Sequence, residues 1–376
     1  CDSEGDAEDS DEDDDENDCG DRVCEVDTTN EGVKARTLGD MKMDPLPPSE
    51  VPHLHDLLKQ HYRSNLTDAA RKREPPTHTR IKSSVHNVSG GAFSFTDEEL
   101  PVFWQSYKQT VLGKRRAEHL TERQRVEGGP ILVDFDLKYP DTIDSRQHTT
   151  AHISTMVQIF VSQLCEIYYF ETNVEFPIYI MHKPDVVKQT GGRDTKDGIH
   201  MIIGLRSNRI VQHYLRSKIM APLEKAWESL GLSNSIDAIV DEGIAKGSVN
   251  WPMYGSRKPG SQPYALTGWY KCHYTAANKL SVTPQPLTTF DIMNNFEQLS
   301  AQYDGHVEFE MTDDFESAYA EMIASSRPLT VATPVESDDC QGGGDGWELT
   351  EGQVSTLIDE ESLDAAISVM LACASK

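Results

Sequence analysis

Acidic residues are concentrated at the two ends of this chain, and this distribution limits what the chain can fold into. Residues 1–20 contain twelve Asp and Glu and no Lys or Arg, and residues 301–376 contain seventeen acidic side chains against two basic ones. Residues 21–300 carry 33 acidic and 33 basic side chains and are neutral overall. A segment such as residues 1–20 repels itself and cannot bury apolar surface. We therefore predict a disordered acidic tail over residues 1–40 and a folded domain over residues 41–300. An acidic helical segment and a linker toward a further region are predicted over residues 301–376.

The apolar pattern of the neutral part predicts helices and strands in an irregular order. Helices are predicted over residues 41–66, 96–112, 151–170, 207–230 and 310–325, and a final amphipathic helix over residues 354–374. Strands are predicted over residues 130–139, 175–183, 198–206, 235–244 and 251–254. Because these elements do not follow a regular βαβ rhythm, the fold class is predicted to be α+β.

Several classes of protein are disfavoured by the composition. The seven cysteines are scattered and form no CxxC pair, so neither a zinc ribbon nor a disulfide framework is indicated. No run of eighteen or more apolar residues occurs, so no membrane-spanning segment is expected. The sequence contains no GxxxxGK[ST] loop, so ATP hydrolysis by that route is not expected.

The strongest local signal is the pair Asp134 and Asp136 in the predicted strand PILVDFDLKY. Residues i and i+2 of a strand point to the same side, so these two carboxylates project together. Two carboxylates this close repel one another unless a cation lies between them, and hard divalent ions prefer oxygen ligands. The pair therefore fits two-metal phosphoryl transfer, and the alternative is a strand end with two solvated aspartates.

A second motif places Lys196, Gly198 and His200 on one side of an extended segment. The cations would meet phosphate charge, and the missing side chain of Gly198 would let the backbone come close to a triphosphate. The alternative for His200 is a hydrogen-bonded structural histidine.

A third motif begins at Asp241, which could supply another carboxylate to the metals. It is followed by a loop rich in Gly, Ser and Pro that carries Arg257 and Lys258, two cations suited to phosphate. A strand end followed by a basic surface turn is the alternative interpretation of this segment.

In this order, the three motifs resemble those of the archaeo-eukaryotic primase superfamily. The resemblance is closest to the primase domain of the primase-helicases of large eukaryotic DNA viruses, and it extends to the cellular primase-polymerase PrimPol. The first family motif, an apolar strand ending in DxD or DxE, is matched by ILVDFD, the second by KDGIH and the third by IVD. The similarity spans about residues 70 to 270.

The resemblance implies a catalytic core with an RRM-like mixed or antiparallel sheet flanked by helices. It also implies two divalent ions, Mg²⁺ or Mn²⁺, held by Asp134, Asp136 and Asp241. The residues that would contact the incoming nucleotide are Lys196, Gly198, His200, Arg257 and Lys258. Arg80 would touch template or nucleotide.

Relatives often carry an arginine near the position of Pro252, so here Arg257 is expected to substitute or nucleotide affinity to be weaker. The zinc knuckle of PrimPol has no counterpart beyond Cys272 and His273, so no zinc is expected.

The implied function is primer synthesis on single-stranded DNA from nucleoside triphosphates. One metal would lower the pKa of the attacking 3′-hydroxyl, and the other would hold the triphosphate. The implied partner is a replicative helicase, in the same polypeptide or separate, and the implied location is an intracellular site of DNA replication, a viral factory or the nucleus for a viral protein. The basic stretches RKREPPTHTRIK and GKRRAEHLTERQR are candidates for template binding.

Two alternatives stay open: a degenerate primase-like module that binds DNA or a helicase, and another metal-dependent nucleotidyltransferase or nuclease.

Overall fold

The computed structural model describes residues 51–67, 75–172, 174–189, 194–275 and 279–325. The acidic tail, the linker and the final helix predicted from the sequence lie outside these residues. The helices are α1 (Leu54–Gln60), α2 (Leu100–Lys108), α3 (Thr150–Ile167), α4 (Arg209–Trp227), α5 (Ile236–Ile239), α6 (Glu242–Ala245) and α7 (Asp313–Ser325). The strands are β1 (His78–Arg80), β2 (Gly91–Phe93), β3 (Leu120–Glu122), β4 (Glu127–Pro140), β5 (Glu175–His182), β6 (Val187–Lys188), β7 (Asp194–Asn208), β8 (Trp251–Pro252), β9 (Ala265–Thr275) and β10 (Lys279–Gln285). None of the helices in these described ranges is long and apolar enough to cross a membrane.

A six-stranded antiparallel sheet forms the centre of the fold. Its strand order is β10-β9-β5-β7-β4, and β6 pairs with β7 beside this path. Helices α3 and α4 pack on one face and enclose the first hydrophobic core with it. The sheet with its flanking helices confirms the α+β class and the primase-type core expected from the sequence.

The alternation of side chains along β4 separates this core from the opposite face of the sheet. Val133, Phe135 and Leu137 are buried in the first core, while Asp134 and Asp136 lie between them in the sequence and face the other way. The strand is therefore apolar toward the helices and carries its carboxylates on the far face.

A second, smaller unit packs on that far face. Its four-stranded sheet has the order β2-β1-β3-β8, and with α1 and α2 it forms a second hydrophobic core. Phe103 of α2 and Trp251 of β8 belong to this core together with Met181 and Ile202 of the large sheet. The face that carries the aspartates is thus partly covered, and the carboxylates lie beside the covered area.

The outer edge of β4 is covered by the chain between α4 and α6. The backbone N–H of Asp241 donates to the carbonyl of Asp134 over 2.9 Å, and that of Ser233 donates to Lys138 over 2.8 Å. The side chain of Asn234 donates to the Asp136 carbonyl and accepts from the N–H of Lys138. Backbone and side-chain groups of this segment therefore satisfy polar groups that an edge strand would otherwise leave open.

The strand predicted over residues 235–244 is wrong, because the segment forms the short helices α5 and α6. Ser235 and Asp241 act as N-caps, and the Asp241 carboxylate accepts from the N–H of Ile244 over 2.7 Å. Only Val240, between the two helices, makes a β-bridge, and its partner is Phe135.

The predicted boundary at residue 300 lies inside the folded unit. Phe309, Phe315 and Met322 are buried in the first core, and Val307 forms a parallel bridge to Leu205 of β7. The predicted helix over residues 310–325 is confirmed as α7, and its Phe315 and Met322 belong to the first core.

Candidate active site

The aspartate pair on β4 lies directly opposite the second sequence motif on β7. Asp134 is paired with His200 and Asp136 with Gly198 in the antiparallel ladder. Nε2 of His200 lies 3.5 Å from Oδ1 of Asp134, and Nζ of Lys196 lies 3.9 Å from Oδ2 of Asp136. The side chains of Asp136 and Lys196 are 45% and 37% exposed, so this end of the pair is open to solvent. The structure therefore brings the first two motifs together on one face.

The imidazole of His200 is held between two aromatic rings. Its centroid lies 3.5 Å from the stacked ring of Tyr264 and 4.2 Å from that of Trp251. Nζ of Lys183 also lies over the Tyr264 ring, 5.2 Å from its centroid. Stacking fixes the plane of the imidazole, which therefore presents its Nε2 to Asp134.

Gly198 is required by the packing of Tyr264. A Cβ atom at this position would meet the Tyr264 hydroxyl, which occupies the space beside the glycine. Burial raises the pKa of the Tyr264 hydroxyl, and the carboxylates of Asp134, Asp136 and Asp197 raise it further, so the group stays protonated at neutral pH. The close approach predicted for a triphosphate at Gly198 is here made by a tyrosine.

A backbone hydrogen bond positions Asp241 next to the aspartate pair. Its N–H bonds to the carbonyl of Asp134, while its Oδ1 caps α6 at Ile244. Across the described residues, no group of three or more His, Cys, Asp or Glu is arranged to hold a metal ion. The structure thus places Asp241 next to Asp134 without joining all three predicted carboxylates in one cluster.

Three lysines act electrostatically around the two aspartates. Burial lowers the pKa of the Lys183 ammonium group, the carboxylates of Asp136 and Asp134 oppose this shift, and the ammonium groups of Lys258 and Lys196 add to it. Lys258 of the late basic loop is therefore close enough to Lys183 to act on its ammonium group. Lys183 was missed from the sequence, where it was only the last residue of a predicted strand.

The two arginines predicted to contact nucleotide or template lie in the small unit. Arg80 donates two hydrogen bonds, of 2.8 and 2.7 Å, to the buried carboxylate of Glu118. Contact of Arg80 with a nucleic acid would compete with this ion pair, and breaking such a buried pair costs about 3–5 kcal/mol. The backbone of Arg257 is fixed between Glu118 and His119, and its guanidinium helps to lower the pKa of His86 after the larger effect of burial. The described contacts of Arg80 and Arg257 are therefore with residues of the small unit and not with Asp134 or Asp136.

A buried ionic network supports the site from the helix side of the sheet. Both carboxylate oxygens of Asp197 accept from Arg146 over 2.8 Å, and Arg146 also donates to the carbonyl of Lys183 over 2.7 Å. Nδ1 of His148 lies 3.5 Å from Asp197, and its Nε2 lies 2.9 Å from that of His182. Burial lowers the pKa of His148 to about 4, against the opposing effect of Asp197, so the histidine pair is neutral at pH 7.

One atom of the aspartate pair identifies it as a candidate cation site. Oδ1 of Asp134 is buried and forms no hydrogen bond to the described residues, and Nε2 of His200 lies 3.5 Å from it. A buried carboxylate oxygen without a donor is costly unless a cation or a water molecule satisfies it. With the neighbouring carboxylate of Asp136 on the same face, the donor set is all oxygen and fits a hard divalent ion.

Comparison with known proteins agrees with this geometry. The family model of the "C962R protein N-terminal AEP domain", an archaeo-eukaryotic primase domain, matches residues 82–270, which is half of the chain. A protein of Acanthamoeba polyphaga mimivirus named "Putative helicase L207/L206" is 25% identical over 210 residues. That match covers 55% of this chain and 20% of the relative, so the chain spans about a fifth of the relative's length. The family match includes both aspartates, the second motif and the late basic loop, and the chain therefore belongs to the archaeo-eukaryotic primase family of C962R-type N-terminal domains.

Proposed function

We propose that this chain is a DNA primase or primase-polymerase domain, which joins nucleotides on a single-stranded DNA template. The observation that carries the proposal is the cross-strand register of β4 and β7. It sets Asp134 and Asp136 opposite His200 and Gly198, with Lys196 beside them. Nucleotidyl transfer requires carboxylates that hold metal ions and cations that meet phosphate. Here the two kinds of group lie on adjacent strands.

Asp134 and Asp136 would hold Mg²⁺ or Mn²⁺, and Asp241 is the third candidate ligand because its backbone is bonded to Asp134. Bound in this way, the ions would supply charge neutralisation of the triphosphate and activation of the 3′-hydroxyl. The buried Oδ1 of Asp134, which forms no hydrogen bond to the described residues, supports this assignment.

The remaining residues of the proposed site bind and orient the nucleotide. Lys196 is half-exposed next to Asp136, and Lys258 is exposed on the late loop, so both can meet phosphate oxygens. His200 is oriented by its aromatic neighbours and would donate from Nε2 to a phosphate or sugar oxygen. Arg257, on the same loop as Lys258, is proposed as an additional phosphate contact in place of the arginine expected near Pro252.

We further propose that the domain works with a replicative helicase at sites of DNA replication. The name of the mimivirus relative supports the helicase link, and that relative is about five times as long as the matched part. The helicase would be part of the same polypeptide or a separate partner.

The direct test is a primer-synthesis assay on single-stranded DNA with labelled rNTPs and dNTPs in parallel, in Mg²⁺ and in Mn²⁺. Template-dependent extension is the expected result, and the two nucleotide series report the sugar preference. DNA binding without incorporation would instead support the degenerate binding module. Template degradation would indicate a nuclease.

Removal of the imidazole nitrogens of His200 should weaken nucleotide binding without unfolding the site. In His200→Phe, a ring still fills the space between Trp251 and Tyr264, so the fold is expected to be retained. Loss of a hydrogen bond to a charged phosphate should lower triphosphate affinity about tenfold. Equilibrium binding of a triphosphate, with thermal unfolding as the check on folding, measures both properties. Unchanged affinity in His200→Phe would remove this residue from the nucleotide site.

A further inference from the structure

We propose that Lys183 is an additional phosphate-binding residue of the site and that Arg146 holds it in position. This inference rests on the proposed nucleotidyl-transfer function and extends it to two residues outside the three sequence motifs. Lys183 directly follows β5, and Arg146 lies in the loop between β4 and α3.

The sheet register places Lys183 in the same cross-strand row as Asp136. His182 pairs with Ile199, so Lys183 follows at the level of Gly198, and Gly198 pairs with Asp136 on β4. Adjacent strands are about 4.8 Å apart, so Lys183 and Asp136 lie two strand spacings apart with a glycine between them. Because Gly198 has no side chain, its place in this row between the lysine and the carboxylate is taken by the Tyr264 hydroxyl.

The contacts of Lys183 direct its ammonium group toward the site. Nζ lies over the face of Tyr264, the same ring that stacks on His200, and the carboxylates of Asp136 and Asp134 act electrostatically on it. Among the described residues, Nζ forms no hydrogen bond or ion pair. A partly buried ammonium group without an acceptor is unfavourable, and phosphate oxygens are strong acceptors for it.

Arg146 fixes the backbone from which Lys183 extends. The β5–β7 ladder ends at His182, and the next residue along the chain is Lys183, followed by Pro184, which has no N–H. At this point Arg146 donates to the carbonyl of Lys183 and to both carboxylate oxygens of Asp197. Beyond the end of the ladder, the guanidinium of Arg146 thus links the end of β5 to β7 by hydrogen bonds.

The same bond network links Lys183 to the second motif. Asp197 lies between Lys196 and Gly198 in the sequence, and its side chain is fully buried. By holding Asp197 and the Lys183 carbonyl at one guanidinium, Arg146 sets the spacing of Lys183 from Lys196. Arg146 itself lies beneath the sheet, so it is a positioning residue and does not touch substrate.

The test compares Lys183→Gln with the control Lys188→Gln, which removes an exposed lysine of β6 in the following segment. Equilibrium binding of dATP and dAMP, and of ATP and AMP, is measured with Mg²⁺ present. Loss of a charge-assisted contact to the β- or γ-phosphate should weaken triphosphate binding about tenfold in Lys183→Gln. Monophosphate binding should change less than about twofold, and the control should bind both nucleotides like the original protein.

Three other outcomes are distinguishable. If the original protein prefers triphosphate over monophosphate and Lys183→Gln keeps the full preference, the assignment of Lys183 is overturned while the proposed function stands. If the original protein binds triphosphate no better than monophosphate, both the proposed function and this assignment fail. If Lys183 only stabilises the fold, Lys183→Gln should lower the unfolding temperature and keep the preference for triphosphate. This result would also overturn the assignment.

The role of Arg146 is tested by a double-mutant cycle with Lys183→Gln. Arg146→Gln alone leaves the Asp197 carboxylate buried without a partner, so it is combined with Asp197→Asn to give a neutral pair of similar shape. This pair should weaken triphosphate binding several-fold when Lys183 is present and have no further effect in Lys183→Gln. Additive effects of the two changes would show that Arg146 does not act through Lys183.

Discussion

Replacement of Asp134 and Asp136 by alanine is expected to abolish primer synthesis, with a rate loss of about a thousandfold or more. The change removes the carboxylates that would hold the catalytic ions, and within the described residues no group of three or more His, Cys, Asp or Glu is arranged to hold a metal ion. The same change should leave the stability of the fold equal or higher. Two carboxylates on one face repel each other, and the buried Oδ1 of Asp134 forms no hydrogen bond to the described residues. Lost activity with retained stability would mark the pair as functional.

The matched control is Asp141→Ala with Asp144→Ala, which removes two exposed aspartates from the loop after β4. Its charge change is identical, so a general effect of net charge on DNA binding would appear in both variants. Primer synthesis is measured in Mg²⁺ and Mn²⁺, and stability by urea unfolding. Synthesis that survives in the Asp134 and Asp136 variant would show that the metal assignment is wrong.

The second large effect concerns Glu122, a fully buried carboxyl group of β3. Burial raises its pKa from 4.5 to about 7, although the Ser300 hydroxyl and the N–H of Ala301 donate to it over 2.5 and 2.9 Å. The folded state therefore holds a proton that the unfolded state releases at a lower pH. The resulting stabilisation is fully present below pH 4.5, decreases as pH rises, and is lost above about pH 7. A shift of this size corresponds to about 3 kcal/mol.

Glu122→Gln isolates this contribution. The amide keeps an acceptor for Ala301 and cannot ionise, so the variant should lack the part of the pH dependence that Glu122 causes. Urea unfolding of both proteins at pH 5 and pH 8 measures the effect as a difference of differences, in which the other titrating groups cancel. The original protein should lose about 2–3 kcal/mol more than the variant between these pH values. Equal pH dependence in the two proteins would contradict a raised pKa for Glu122.

The sequence was sufficient for those parts of the site that follow from periodicity within one strand. The alternation in β4 predicts that Asp134 and Asp136 share a face, and the same argument holds for Lys196, Gly198 and His200 on β7. The structure agrees in both cases. The strand predicted over residues 130–139 lies within β4, and the helix predicted over residues 207–230 contains α4. These elements are long and strongly patterned, so local interactions decide them.

Residues that depend on tertiary pairing could not be found in this way. Lys183 and Tyr264 reach the aspartates through the register of β5 with β7 and of β9 with β5, which no local pattern determines. Residues 235–244, predicted as a strand, form two short helices. Ser235 and Asp241 decide the local structure by accepting from backbone N–H groups three residues later.

The covered edge of β4 also affects how molecules of this protein meet one another. An open edge strand offers a row of unpaired N–H and C=O groups to which a strand of a second molecule can add. On β4 this row is occupied by Asn234, Asp241 and the side chain of Gln212, which accepts from the N–H of Leu132 over 2.8 Å. The strand that carries the aspartates therefore cannot extend into a neighbour's sheet, and this side of the molecule is protected against edge-to-edge aggregation.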